Sequence, residues 1–254
     1  MSNIENIFGN INYDSNNEKI VKNDFVDHFR KCTIPDNELL SNIGLFINSK
    51  NLSRILFMDH LYKQIIDVHG SIIEFGVRWG QNIAIFNALR GIYEPFNRHR
   101  KIIGFDTFDG FPNISEKDGN SKLMKKGNDN VSKDYINYLE RLLELHELSN
   151  PLSHIKKFEL VKGDANITIP TYLKNHPELI ISLAYFDFDT YEATKTALGV
   201  IRPHLTKGSV LGFDELNDSD SPGETIALIE SFGLNNVRLK RYRYTSRTSY
   251  FVLE

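Results

Sequence analysis

Cysteine is almost missing from this chain: Cys32 stands alone, so there is no intrachain disulfide framework and no cysteine-rich zinc site. No apolar run is long enough to span a bilayer, and the first residues carry no signal-peptide pattern. Met1–Asn17 is instead rich in Asn, Ser and acids. A cytoplasmic protein with no membrane partner is the expectation. An excess of one charge is also lacking. The 30 basic residues face 33 acidic ones, which argues against a dedicated nucleic-acid binder. There is no internal repeat, low-complexity tract or dividing linker, and 254 residues can bury a substantial core as one large domain or a domain with an appendage.

What is present is organised around Ser71–Gly80, Ser-Ile-Ile-Glu-Phe-Gly-Val-Arg-Trp-Gly. Ile72, Ile73 and Phe75 predict a short buried strand over Ser71–Phe75. Gly76 and Gly80 bracket a tight turn, and the spacing of Ile83, Ile85, Phe86 and Leu89 predicts a helix over Gln81–Tyr93. A strand, a glycine turn and a helix N-terminus can bring backbone N–H groups up to a ligand; the same turn can equally be structural. Its Glu-x-Gly-x-x-x-Gly spacing departs from the Gly-x-Gly-x-x-Gly of dinucleotide-binding folds. An acid at the end of the first strand suits an S-adenosylmethionine loop better.

Upstream, Met1 to Lys22 has weak periodicity and reads as a mobile or loosely docked arm, and Pro35 interrupts Asn23–Leu45. Leu52–His69 reads as a helix with one apolar side. Downstream, strands are predicted at Lys101–Asp106, Phe158–Val161, Leu179–Phe186 and Ser209–Phe213. They alternate with helices at Val131–Leu148, Ile167–Lys174, Tyr191–Arg202 and Gly223–Ser231. Asn236–Tyr244 and Thr248–Leu253 read as a terminal hairpin. The pattern predicts an α/β doubly wound sheet with an antiparallel edge, in which ligands lie outside the carboxyl ends of the strands. Glu74, Asp106, Asp164, Asp187, Asp189, Asp214 and Glu215 all fall at such ends. Asp106 can offer paired acceptors to two ribose hydroxyls, or be a solvated strand-end acid. Asp164 can accept from an adenine amino group or cap the next helix. Thr190 can cap the helix at Tyr191. The long polar stretch Thr107–Asn130 has the length of a functional lid.

Four segments then line up in order: Glu74-Phe-Gly-Val-Arg-Trp-Gly80, Gly104-Phe-Asp-Thr-Phe-Asp-Gly-Phe-Pro112, Phe186-Asp-Phe-Asp-Thr-Tyr-Glu-Ala-Thr194 and Asp214-Glu215. This set resembles the macrocin/mycinamicin O-methyltransferase family, class I enzymes that use S-adenosylmethionine to methylate sugar hydroxyls. The resemblance runs from about Leu52 to Leu228, and its second and third segments are the specific ones. It implies a Rossmann-like fold with a mostly parallel seven-stranded sheet and an antiparallel C-terminal edge hairpin. Residues 1–50 would form an arm or cap, and residues 51–254 the methyltransferase domain with a lid insertion at about 107–150. It further implies that Glu74, Gly76, Arg78 and Gly80 hold the methionine part of the cofactor. Asp106 and Thr107 would bind at the ribose, Phe108 would border the adenosine, and Asp164 would meet the adenine. Asp187, Asp214 and Glu215 match positions that hold a divalent cation, usually magnesium. The family commonly has two aspartates at Asp214-Glu215 and a glycine at Phe188.

A physical case stands beside the resemblance. Asp187 and Asp214 would end adjacent strands about 4.8 Å apart, and several close carboxylates call for a cation that accepts oxygen ligands. The alternative is solvated loop acids with Asp189 as a helix cap. Asp187 and His146 are the candidates for the base that deprotonates the acceptor; His146 can also be an exposed helix-face histidine. The acceptor is expected to be a saccharide or another small molecule, and a homo-oligomer stays open. A catechol-type O-methyltransferase and a non-catalytic nucleotide- or glycan-binding domain are the competing readings. Arg238, Lys240, Arg241, Arg243 and Arg247 make the hairpin basic, which protects a terminal strand edge or steers a phosphorylated acceptor.

Overall fold

The computed structural model describes residues 15–122 and 124–254. The predicted arm therefore lies partly outside the described residues. In the described remainder α1 spans Asn16–Arg30, exposed along its whole length. Ser15 and Glu18 form a reciprocal capping box at its start. None of its residues is buried, although Val21, Phe25 and Phe29 recur on one face. α2 (Asp36–Leu39) and a 3-10 turn (Leu40–Phe46) lead to α3 (Ser49–Gln64), which stops five residues before the predicted end at His69.

From there strands and helices alternate as expected: β1 (Ser71–Phe75), α4 (Gln81–Tyr93), β2 (Ile102–Asp106), α5 (Tyr135–Leu148), β3 (Phe158–Lys162) and α6 (Ala165–Asn175). β4 (Ile181–Phe186), α7 (Tyr191–Ile201), β5 (Leu205–Phe213), α8 (Gly223–Phe232), β6 (Lys240–Arg241) and β7 (Ser249–Val252) complete the order. The sheet runs β3-β2-β1-β4-β5-β7-β6. Its first five strands are parallel, and β7 pairs antiparallel with β5 and β6. The terminal hairpin is much shorter than its sequence suggests, with only Lys240↔Tyr250 and Arg241↔Ser249 in register.

Alternation along the strands makes two cores. Ile73, Phe75, Phe105, Phe186 and Phe213 face α6, α7 and α8, whereas Ile72, Leu183, Tyr185 and Val210 face α3, α4 and α5. Register then fixes the site. Phe75 is level with Phe105 and Phe186, and Phe186 with Phe213, so the residues that follow them emerge along one edge. The rings stack beneath that edge, with Phe186 and Phe213 centroids 4.9 Å apart. Loop 107–134 is folded down rather than left free. Phe111 N–H donates to the Asn128 carbonyl and Gly127 N–H to the Phe111 carbonyl. Asp118 Oδ1 accepts from the Tyr191 amide, and Asp118 Oδ2 from the Ser115 amide and hydroxyl. Asp118, not Thr190 or Asp189, is therefore the side chain that caps α7; the Thr190 side chain makes no capping bond.

Candidate functional site

A cleft of about 800 Å³ opens along the carboxyl edge of the sheet, within the size range of small-molecule sites. One wall is the β1–α4 turn. Gly76 has φ +90° and Gly80 φ +77°, a region that side chains other than glycine's rarely enter. A Cβ on Gly76 would lie 2.0 Å from the Asp187 carbonyl oxygen, and one on Gly80 would strike the Leu139 side chain. Both glycines are thus imposed by the chain's own close packing, while the turn between them still faces the cleft through Val77, Arg78 and Trp79.

Asp106 lines the same wall and ties it together. Its Oδ2 accepts from the Arg78 amide at 2.8 Å and its Oδ1 from the Phe108 amide at 2.5 Å. The carboxylate keeps acceptor capacity beyond these amide bonds, so a ribose hydroxyl can still be accepted. Burial raises its pKa, and the amide bonds oppose that shift. Thr107 lines the cleft, with its hydroxyl donating to the Gly110 carbonyl. Asp164 lines it too, but its Oδ1 accepts from the Asn166 amide at 2.9 Å as the cap of α6.

Three of the expected site residues stand elsewhere. Phe108 is only 4 % exposed and packs into the core beside α5; Phe111 and Pro112 face the cleft in its place. Its φ of +55° turns the ring inward. Glu74 is fully buried beneath the turn, next to Asn82 and the Ile83 amide but with neither oxygen at hydrogen-bonding distance. Burial pushes its carboxyl up to about 8. His146 does not line the cleft. α5 begins there, where Tyr135 O–H donates to the Trp79 carbonyl, and eleven residues later it has risen about 16 Å. Around its far end, Glu147 is buried against Arg90 and Lys157. That helix direction leaves His146 outside the lining of the cleft.

The opposite wall is acidic. Asp187 and Asp214 follow the paired Phe186 and Phe213, and Glu215 and Asp189 lie beside them. Glu224 comes from the start of α8; its Oε1 accepts from the Phe188 and Asp189 amides at 3.1 and 3.3 Å. Two arginines answer this charge. Arg54 on α3 places Nη2 2.7 Å from Asp214 Oδ1 and Nη1 3.5 Å from Asp187 Oδ2. Arg247 on the β6–β7 turn pairs with Glu215 and with Asp218. Tyr185 O–H donates to Asp214 Oδ1 at 2.7 Å, and Ser221 O–H donates to Glu215.

The compensation is incomplete. Asp189 Oδ1 and Glu224 Oε2 are buried without partners. Burial and the charge of Asp214 hold Asp187 well above the usual carboxylate range, and burial with Glu215 does the same for Asp189. Burial raises Glu215 as well, and burial with Glu215 brings Glu224 up to about 8. These oxygen donors and this residual charge suit a hard divalent cation. Their side chains are not gathered around one, however. Among the described residues no group of three or more His, Cys, Asp or Glu is arranged to hold a metal ion.

Arg54, Tyr185, Glu224 and Arg247 are absent from the sequence reading as site residues. Arg54 meets Asp214 across 160 positions of chain, and nothing local to α3 signals that contact. Arg247 was legible only as one more charge of a basic hairpin.

Comparison with protein-family models and with curated proteins finds no match. Solved structures do match. The calicheamicin methyltransferase CalS11 is 40 % identical, with 95 % of this chain and 94 % of that one covered and a TM-score of 0.92. The apo structure of CalS11, described as a TDP-rhamnose 3'-O-methyltransferase, is 38 % identical over 95 % and 96 % of the two chains, with a TM-score of 0.84. The O-methyltransferase NovP shares the fold at 18 % identity, 79 % of each chain and a TM-score of 0.62. With 40 % identity over 95 % of its length, the chain belongs to the class I, S-adenosylmethionine-dependent sugar O-methyltransferase family.

Proposed function

We propose that this enzyme methylates a hydroxyl of a nucleotide-linked sugar, and that its acid wall works with a divalent cation, magnesium by choice of ligand chemistry. The observation that carries the reading is the pairing, across one cleft, of the β1–α4 turn and Asp106 with the acids that end β4 and β5. The acceptor class is supported by the likeness to CalS11, a TDP-rhamnose 3'-O-methyltransferase. It is supported too by the cleft's outer rim, where Ser49, Lys50, Ser53, Thr245, Ser246 and Arg247 gather hydroxyls and positive charge. A catechol-type acceptor would have to use the aromatic part of the lining, Trp79, Phe111 and Tyr244, in place of this charged and hydroxyl-bearing part.

In this reading Gly76, Arg78 and Gly80 shape the methionine subsite, with Glu74 buried beneath it. Asp106 and Thr107 take the ribose, and Asp164 borders the adenine. S-adenosylmethionine brings an activated methyl on a good leaving group, so the chain is left with orientation, exclusion of water and removal of one proton. The acceptor hydroxyl lies against Asp187, which takes that proton as the C–O bond forms. Asp214 and Glu215 complete the oxygen set, and a divalent ion there would lower the hydroxyl pKa and keep these crowded acids ionised. The test is turnover of a thymidine-diphosphate sugar with magnesium and with EDTA, alongside calorimetric titration of S-adenosylhomocysteine in both. Turnover lost in EDTA with micromolar binding retained is the expected result; undiminished turnover in EDTA sinks the cation.

A further inference from the structure

Arg54 spans the acids that follow β4 and β5. Nη2 donates to Asp214 Oδ1 at 2.7 Å, and Nη1 lies 3.5 Å from Asp187 Oδ2 and 3.3 Å from Asn82 Oδ1. It reaches them from α3, outside the sheet, on a helix anchored by the fully buried Phe57, Met58 and Leu61. Arg247 differs: it leans on Glu215 and Asp218 from a turn, with its side chain 45 % exposed, and solvent can receive it. Asp214 Oδ1 also accepts from Tyr185, so both of its lone pairs are in use. Magnesium demands near-octahedral oxygen ligation at about 2.0–2.1 Å and gives up its water reluctantly. A guanidinium cannot share its fork of carboxylates with such an ion without repulsion between the two cations.

We propose that Arg54 is a built-in counter-cation that competes with the divalent ion for Asp187 and Asp214, so that metal entry displaces its guanidinium. The inference rests on the cation assigned above and makes Arg54 a positioning residue. In the metal-free protein it holds together two carboxylates that would otherwise repel, and the same contact weakens their affinity for metal. The guanidinium has no proton to lose at working pH, so the competition is governed by metal concentration.

The probe is Mn2+ and the readout is the electron paramagnetic resonance signal of the free ion, titrated against the full-length chain. Arg54→Met should bind Mn2+ about tenfold or more tightly than wild type, as expected for loss of one nearby like charge. Lys63→Met, on the same helix and paired with Asp59 rather than with the cleft acids, should bind as wild type does. Retained binding of S-adenosylhomocysteine certifies that each variant is folded. Equal or weaker Mn2+ binding by Arg54→Met overturns the competition while leaving the metal in place. Weaker binding would mean that Arg54 orients Asp214 for the ion. Absence of Mn2+ binding in both wild type and Arg54→Met removes the cation itself, and the inference with it. A second measurement needs no loss of the arginine. The Nε–H resonance of Arg54 in wild type, identified by its absence from Arg54→Lys, should be slow to exchange without metal and become fast with saturating Mg2+. An unchanged exchange rate contradicts displacement.

Discussion

Asp187 carries the most chemistry of any side chain in the cleft, because it adjoins both walls: its carbonyl abuts Gly76 and its carboxylate faces Arg54 and Asp214. Asp187→Asn keeps the shape and removes the proposed base. Turnover should fall by about a hundredfold or more, with S-adenosylhomocysteine affinity nearly unchanged by calorimetry; activity close to wild type contradicts its role. Glu74 makes a different prediction. Its pKa is raised from 4.5 to about 8, so between those values the unfolded chain has lost a proton that the folded chain keeps. Folded stability is then full below the unfolded pKa and falls as pH rises through the folded one. Glu74→Gln removes that dependence, and its Tm should gain on wild type steadily from about pH 5 to about pH 8. Parallel Tm curves would show that the buried carboxyl costs nothing. Asp106, Asp187 and Asp214 were legible because each ends an apolar run. Arg54 and Glu224 were not, since their meaning exists only after β4, β5, α3 and α8 are brought together.

Elements position these residues through a few contacts. The turn between β1 and α4 is pinned to the end of β4, and Gly76→Ala should abolish cofactor binding because the added Cβ meets the Asp187 carbonyl oxygen. Loop 107–134 is pinned by Asp118, which is 1 % exposed and caps α7. Asp118→Ala should destabilise the fold by about 1–2 kcal/mol, as loss of a helix cap does. It should also make the loop the first site of limited proteolysis; unaltered Tm and cleavage pattern would contradict the strap. The core strands and the helix over Gln81–Tyr93 were readable from periodicity alone, since burial on one face or both writes itself into the spacing. α1 was not read, although its signals are in the sequence: Val21, Phe25 and Phe29 recur on one helical face, and Ser15 with Glu18 makes a capping box at its start. The position of His146 depended on which end of α5 meets the cleft, and helical periodicity fixes a face, not an end.

At the scale of the molecule, a parallel sheet gathers acids from the ends of β2, β3, β4 and β5 onto a single edge, and the register of Phe75, Phe105, Phe186 and Phe213 levels the strand ends that carry them. In the proposed function the cofactor takes the β1–β3 side and the acceptor the β4–β5 side, which would put methyl transfer at the middle, next to Asp187. Among the described residues no helix is long and apolar enough to cross a membrane, and the cleft carries Lys50 and Arg247 beside Trp79, Phe111 and Tyr244. The measurement that tests this account most directly is mass spectrometry of products after incubation with S-adenosylmethionine, magnesium and three acceptors held at equal concentration: a thymidine-diphosphate deoxyhexose, the corresponding free sugar and a catechol. The account predicts one added methyl on the nucleotide-linked sugar, little on the free sugar and none on the catechol. Methylation of the catechol alone, or of the free sugar as efficiently as the nucleotide-linked one, would contradict it.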